Sequence, residues 1–445
     1  MRRRTAGMLG VLAVTVLLLS GCTTGVGQSE AGAGGLDDKT PVTISLWSFF
    51  TAREKGDVDA RLKAFHKLYP WITVDHVGGE SDDNIVQSVR GGNPPDVAIS
   101  QNSDSVSGYC ATGTFQDLTS RIAAAGPATS SVLPATAAYT SYDGRRCALP
   151  VLADVYGLYY NTDMFQKAGI TAPPRTWPEL TEDAKKLTTF NPDGSIKVAG
   201  FVPFLDFFEN NVGTFTPGFD LDWYDAAGKA QMANDPNWAA MFTWEKQLVD
   251  WYGYDKLQTY VASLGAEFSP QNPFQTGKLA MAVDGEWRVA FAADQAKKFS
   301  YGTAPMPTES ASRYGSGVIS GTTIGIPKGS KHSAAAWLLV KYLSTDTSSL
   351  VDLTLRLRNV PTTTQSLADP AIRTDPRFTT MLDIAADKDT RSVPGTWAGS
   401  APRELLTQFA QSWAAGNVPD LHAGLASVAD QIDSQIDQAS AGESR

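Results

Sequence analysis

The chain is short of the residues that carry most redox, metal and nucleophilic chemistry. Of 445 residues only three are cysteine, Cys22, Cys110 and Cys147, and only four are histidine, His66, His76, His332 and His422. No CxxC pair and no His-Cys cluster occurs, so the pattern argues against a thiol oxidoreductase and a zinc site. The histidines are scattered, two in helical patterns, one in a strand and one in a lysine-flanked loop. Phosphate-binding GxxxxGK[ST], GxGxxG at a helix start, HExxH and GxSxG are all missing. No cofactor, no metal and no catalytic residue is therefore expected. Paired acids for glycoside hydrolysis act through their spatial separation and leave no fixed spacing, so nothing singles out such a pair. Positive charge is scarce as well: 37 Lys and Arg against 47 Asp and Glu give a net charge of −10, which argues against nucleic acid as a partner.

Long apolar runs are missing, with one exception. Arg2, Arg3 and Arg4 precede "MLGVLAVTVLLLS", too short to cross a bilayer as a stable helix and profiled like a signal peptide. The run stops at "LSGC", which resembles a bacterial lipobox: Leu19, Ser20 and Gly21 before Cys22, the residue that would receive lipid after cleavage. Residues 1–21 are thus expected to be a signal peptide, and residues 22–40 a lipidated cysteine and a flexible tether of roughly 25 Å. More than one acyl chain at Cys22 gives stable anchoring. The body is expected outside the cytoplasm, held to the outer face of the cytoplasmic membrane. In an exported protein Cys110 and Cys147 are expected to pair as a disulfide.

Past the tether, strand and helix alternate. "PVTISLW", "WITVDHV" and "PPDVAIS" read as strands, and "DVDARLKAFHKLYP" and "NIVQSVRGG" as helices ending at Pro or Gly. This alternation indicates an α/β layer with a mostly parallel sheet, whose ligands sit at the carboxyl ends of the strands. No repeat of fixed period is present, and the chain closes on helical patterns, "PRELLTQFAQSWAAG" and "LHAGLASVADQIDSQIDQA".

Aromatics are abundant, with eleven Trp, fourteen Tyr and nineteen Phe, several beside Gly, Pro or Asp. Most belong in cores. A tryptophan at a strand end, such as Trp47 or Trp287, is not wholly explained by packing and offers a face to the C–H side of a sugar ring, with nearby carboxylates and amides for the hydroxyls.

The motifs "TISLWSFF", "GGNPPDVAIS", "CALPVLADVYGLYYNTDMFQKAGITAPPRTWPEL", "FQTGKLAMAVDGEW", "SGTTIGIPKGSKHSAAAWLLVKYLS" and "RNVPTT" resemble, in order, those of extracellular solute-binding proteins of ABC importers. The similarity is to their carbohydrate-binding family, which includes maltose-binding protein. It implies an α/β fold of two periplasmic-binding-protein-like lobes with a ligand cleft between them and discontinuous domains. The first lobe would hold residues 41–153 and 318–360, and the second residues 154–317. Residues 361–445 would form helices packing on the hinge and second lobe. Matching positions imply ligand contacts at Asp154 and Trp287. Further candidates are Trp47 and Phe49 after the first strand, Glu80 after the second, Asn102 and Asp104 after the third, Asp206, Phe208 and Glu209 in "FLDFFEN", and Trp397 and Arg403 in "PGTWAGSAPRE". "SQNSD" lacks the aromatic that maltose-binding protein has there, which speaks against maltose itself. Arg403 could pair bidentately with an anionic ligand or simply open a helix.

The resemblance implies a monomeric, non-enzymatic capture protein that binds a sugar or oligosaccharide and delivers it to an ABC permease, with a separate ATPase supplying energy. Two alternatives stay open: the same fold binding a glycerophosphodiester or another non-sugar solute such as a peptide or ferric iron, and an exported glycoside hydrolase. A sensor role is indistinguishable from transport at this level.

Overall fold

The computed structural model describes residues 39–126, 131–296 and 299–441. The expected signal peptide, Cys22 and residues 23–38 of the tether lie outside them. In β1 (Val42–Trp47) Ile44 and Leu46 are buried, following the period of two in the sequence. Helix α1 (Ala52–Leu68) buries Val58, Leu62 and Phe65 along one face and stops two residues before Pro70. Strand β2 (Ile72–Val77) follows, then α2 (Asp82–Arg90), whose first turn is capped by Ser81 accepting the Asn84 N–H at 3.2 Å. Strand β3 (Val97–Ser100) leads directly into α3 (Ser105–Ala111). Both β2 and β3 lie parallel to β1.

The remainder is organised by one long strand, β4 (Ala148–Asn161). Its partners are β5 (Met281–Gly285), β6 (Tyr301–Ala304), β7 (Ile319–Gly325) and β8 (Val360–Pro361), all antiparallel to it. The eight strands run β5-β4-β7-β3-β1-β2, with β6 and β8 also on β4. The sheet is therefore parallel only across β1, β2 and β3, and the expected mostly parallel character fails beyond them. The reason is that a single strand serves both halves of the molecule, and its neighbours return against it. Along one edge of β4, β7 covers residues up to Val155 and β6 takes over from Leu158; along the other, β8 pairs at Leu152 and Ala153 and β5 begins at Tyr156.

Two large cores sit on either side of this changeover. Ile44, Leu46, Phe65, Val97, Leu149, Leu152, Ile324 and Trp337 belong to one. Ala153, Leu158, Trp177, Phe215, Trp238, Phe242, Phe274 and Phe378 belong to the other. Core membership changes within β4 between Leu152 and Ala153. The second core is rich in aromatics; Trp177 stacks on Phe219 with centroids 4.5 Å apart. The C-terminal helices α5 (Ala401–Ala414) and Leu421–Ala441 join it through Leu406, Phe409, Leu425 and Ile432. No helix among the described residues is long and apolar enough to cross a membrane.

A disulfide joins Cys110, in α3, to Cys147 just before β4, 37 residues apart and both buried. It fastens α3 to the start of the strand on which both cores depend. A Cys110→Ala/Cys147→Ala variant should lose about 3–4 kcal/mol by the loop-closure model, read as a lower urea midpoint. An unchanged midpoint would show that the bond does not constrain the unfolded chain.

Candidate functional site

Between the two cores lies a cleft of about 560 Å³. Its first wall comes from the carboxyl ends of β1 and β3: Phe49, Phe50 and Glu54 beside the start of α1, and Gln101 to Asp104 before α3. The floor is Asp154 and Tyr156 on β4, Ser320 and Thr322 on β7, and Asn359 just before β8. The second wall holds Glu209, Asn211, Gly213, Thr214, Phe268, Trp287 and Phe291, with Val393 and Arg403 from the C-terminal segment.

Seven of the twelve expected ligand residues meet here: Phe49, Asn102, Asp104, Asp154, Glu209, Trp287 and Arg403. The other five do not line the cleft, each for a local reason. Trp47 ends β1, but its ring lies on the sheet face opposite Leu46, against the cluster of Ile85, Ala98 and Cys110. Glu80 follows β2, the edge strand, and accepts from the Asn84 Nδ2 at 2.8 Å. Asp206 is exposed and accepts from the Gln411 Nε2 at 2.8 Å. Phe208 adopts a left-handed φ of 52° and stacks on Phe207, centroids 4.2 Å apart. Trp397 packs edge-on to Tyr142 at 5.8 Å.

Polar groups converge where β4 passes between the cores. Asn359 Nδ2 donates to Asp154 Oδ1 at 3.0 Å and to Glu286 Oε1 at 2.7 Å. The other Glu286 oxygen accepts the Val155 N–H at 2.7 Å, filling the gap that β8 and β5 leave on that edge. Loss of water holds the Asp154 carboxyl up at about 7, against the pull of Asn359. Fully buried Glu286 is raised well above the ordinary carboxylate range, by burial and then by Asp154. Burial, then the charges of Glu267 and Asp284, push Glu209 up to about 9. Glu267 rises to about 7 through burial and Asp284. Arg288, fully buried, is held by Asp284 at 2.6 Å. Asp104 Oδ2 lies 3.2 Å from Arg403 Nε, an ion pair across the cleft, since α3 and α5 belong to opposite walls. Among the described residues no group of three or more His, Cys, Asp or Glu is placed to hold a metal ion.

The aromatic lining is directional. Trp287 meets Tyr156 edge-on with centroids 5.8 Å apart. A Cβ on Gly285 would stand 2.3 Å from the Trp287 ring, so only glycine leaves room for the ring where it lies. Phe268, more than half exposed, and Phe291 flank it and receive the Arg288 guanidinium at 5.9 and 5.4 Å. Sequence reading missed Asn359, Glu286, Tyr156, Phe268 and Phe291. Glu286 and Asn359 lie inside the motifs "AMAVDGEW" and "RNVPTT", but their convergence depends on crossings the linear pattern does not reveal.

The raised carboxyls make stability depend on pH with a definite sign. Each binds its proton more tightly folded than unfolded, so its contribution is complete below the ordinary carboxylate range. That contribution is lost as pH rises through about 7 for Asp154 and Glu267 and about 9 for Glu209. The ligand-free thermal midpoint should fall between about pH 5 and about pH 8, and less steeply in Glu209→Gln. A midpoint that climbs over this range would contradict the buried-acid account.

The family of bacterial extracellular solute-binding proteins matches residues 52–348. CpMnBP1, solved with mannotriose bound, superposes with a TM-score of 0.77 at 23% identity, covering 87% of this chain and 99% of that one. A maltotriose-binding protein of Pyrococcus abyssi is 24% identical over 238 residues, 53% of this chain and 48% of its own. The sn-glycerol-3-phosphate-binding periplasmic protein of Rhizobium meliloti is 48% identical over 63 residues, 14% of this chain and 15% of its own. The chain spans about half the length, or less, of these curated relatives. A two-lobe fold, a cleft between the lobes and a family pattern over two thirds of its length agree: the chain belongs to the bacterial extracellular solute-binding proteins.

Proposed function

We propose that this protein captures a sugar or oligosaccharide outside the cytoplasm and delivers it to an ABC permease driven by a separate ATPase. The observation that carries this reading is the cleft: aromatic faces of Trp287, Tyr156, Phe49 and Phe268 together with Asp154, Glu209, Asn102 and Asn359 in one cavity. Stacking faces take the C–H side of a pyranose, and the carboxyls and amides take its hydroxyls. Residues 41–153 and 318–360 act as one lobe and residues 154–317 as the other, with the terminal helices bracing the second. Contacts from both walls are what allow a ligand to shift the lobes towards closure, because it moves that equilibrium only by its differential affinity for the two states. The body works as a monomer, without catalysis, tethered through lipidated Cys22. The mannotriose-bound and maltotriose-binding relatives support the carbohydrate class.

A second reading, capture of a glycerophosphodiester or glycerol phosphate, draws on the Rhizobium meliloti relative. It calls for a cation free to meet the phosphate, and the cleft's Arg403 is already paired with Asp104.

The experiment is a thermal-shift and tryptophan-fluorescence screen of the protein against mono-, di- and oligosaccharides, with glycerol 3-phosphate and iron as controls, confirmed by calorimetry. One-to-one binding of a sugar class is expected; a response to glycerol 3-phosphate alone would overturn the carbohydrate reading. Trp287→Ala and Asp154→Ala should each weaken binding roughly tenfold or more, the loss of about 1.4 kcal/mol expected for one stacking or buried hydrogen-bond contact. Wild-type affinity in both would place the ligand elsewhere. Gly285→Ala should displace the Trp287 ring, shifting its emission and reducing affinity while leaving the fold cooperative. An unchanged spectrum and affinity would show that the ring position is not what glycine secures.

A further inference from the structure

Which carbohydrate the cleft takes, given the reading above, is constrained by its charge. Besides Glu54 at the start of α1, six acids stand in or directly behind the cavity: Asp104, Asp154, Glu209, Glu267, Asp284 and Glu286. Two arginines answer them, and both are engaged, Arg403 by Asp104 at 3.2 Å and Arg288 by Asp284 at 2.6 Å. Among the described residues no lysine or arginine forms an ion pair with Asp154 or Glu209. Asp154 has the neutral Asn359 amide between itself and Glu286, and Glu209 has another acid, Glu267, as its hydrogen-bonding neighbour. Asp154 and Glu209 act on each other and on the Tyr156 hydroxyl electrostatically, so the two carboxyls share one region of the cleft.

A neutral polyol entering that region leaves the excess of acid uncompensated, and a phosphate or uronate adds to it. A protonated amine cancels it, and the neighbouring Tyr156 and Trp287 rings suit an ammonium by their electron-rich faces. We propose that the sugar bound by this cleft carries a protonated amino group, seated between Asp154 and Glu209 beside Tyr156 and Trp287. Glu209 then sets specificity: a carboxylate there favours the amine over the same sugar bearing an acetamido or hydroxyl group.

Proton balance follows from the same geometry. In the empty cleft burial holds Asp154 at about 7, and burial with Glu267 and Asp284 holds Glu209 at about 9, so near neutral pH both sites hold protons part or most of the time. The groups facing Asp154 are Asn359, Glu286, Glu209, Tyr139 and Tyr156. Those facing Glu209 are Glu267, Asp284, Asp154 and Tyr156. An arriving ammonium favours the ionised carboxylates, and protons leave as it binds.

The test is calorimetry on the full-length protein at neutral pH in two buffers of different ionisation enthalpy. The probes are matched amine, N-acetyl and hydroxyl forms of hexose mono-, di- and trisaccharides, with glycerol 3-phosphate alongside. The amine is expected to bind about tenfold or more tightly than its matched forms, the ratio that about 1.4 kcal/mol of preference for the charged pair gives. Proton release should appear in the buffer dependence, and in Glu209→Gln the amine-to-acetyl affinity ratio should fall towards one. Neutral or acetylated sugars binding as tightly as the amines would overturn the proposal and leave the carbohydrate reading standing. An amine preference unchanged in Glu209→Gln would overturn the assigned seat. Binding of glycerol 3-phosphate alone, or of no probe, would remove both the proposal and the carbohydrate reading.

Discussion

Everything in this molecule depends on one strand belonging to two cores. A β-strand is fixed by neighbours on both edges, and β4 has to exchange its neighbours partway along, from β7 to β6 on one edge and from β8 to β5 on the other. At the exchange the backbone is left without a strand partner on the second edge, and an unpaired N–H out of water is costly. The Glu286 carboxyl supplies the missing acceptor for Val155, and Asn359 in turn holds Glu286 and Asp154. Polar side chains are thus drawn to the junction by the needs of the backbone, and the cleft opens directly above them. The floor of the cleft and the structural joint are the same few atoms.

The same placement explains why the cleft is acidic. Groups that fill a gap in a sheet must be short, buried and able to accept, and carboxyls meet that need only by surrendering charge or finding a partner. On the outer walls a partner exists: Asp104 meets Arg403 across the opening. That contact joins the α3 side to the α5 side, so an incoming ligand competes with or extends an existing link between the walls. Closure then rewards a solute that contacts both walls at once.

Much of this was legible in the sequence. The period-two and helical patterns from Val42 to Ser100 and the two terminal helices stand where the residues indicate. Local propensity decides such elements, and the family motifs fixed their order. Parallelism did not carry through, because alternation of strand and helix reports sequence neighbours, whereas β4 pairs with segments more than a hundred residues away. The candidate contacts divide along the same line. Asn102 and Asp104 follow an inner strand and reach the cleft, while Glu80 follows the edge strand and does not. Trp47 and Phe49 are two residues apart, yet the former turns to the far face of the sheet. Strand-end position was readable; facing and lateral order were not.

The motif "DGEW" concentrates the argument into four residues. Asp284 is the nearest counter-charge of the buried Arg288, which also donates to Gln275, and so helps fix the first turn of α4 (Arg288–Gln295). Gly285 ends β5, accepts the Tyr159 hydroxyl at 2.7 Å through its carbonyl, and leaves the space that the indole occupies. Glu286 turns inward to complete the β4 edge, and Trp287 is left at the start of the helix, its ring against the glycine and perpendicular to that of Tyr156. No one of these residues can change type without disturbing a neighbour's role. Substitution of Gly285 moves the ring, loss of Glu286 strands the Val155 N–H, and loss of Asp284 leaves a buried guanidinium without its closest counter-charge. A ligand platform built in this way is held rigid by the needs of the fold, which is the condition under which an aromatic face can discriminate among solutes that differ by a single group.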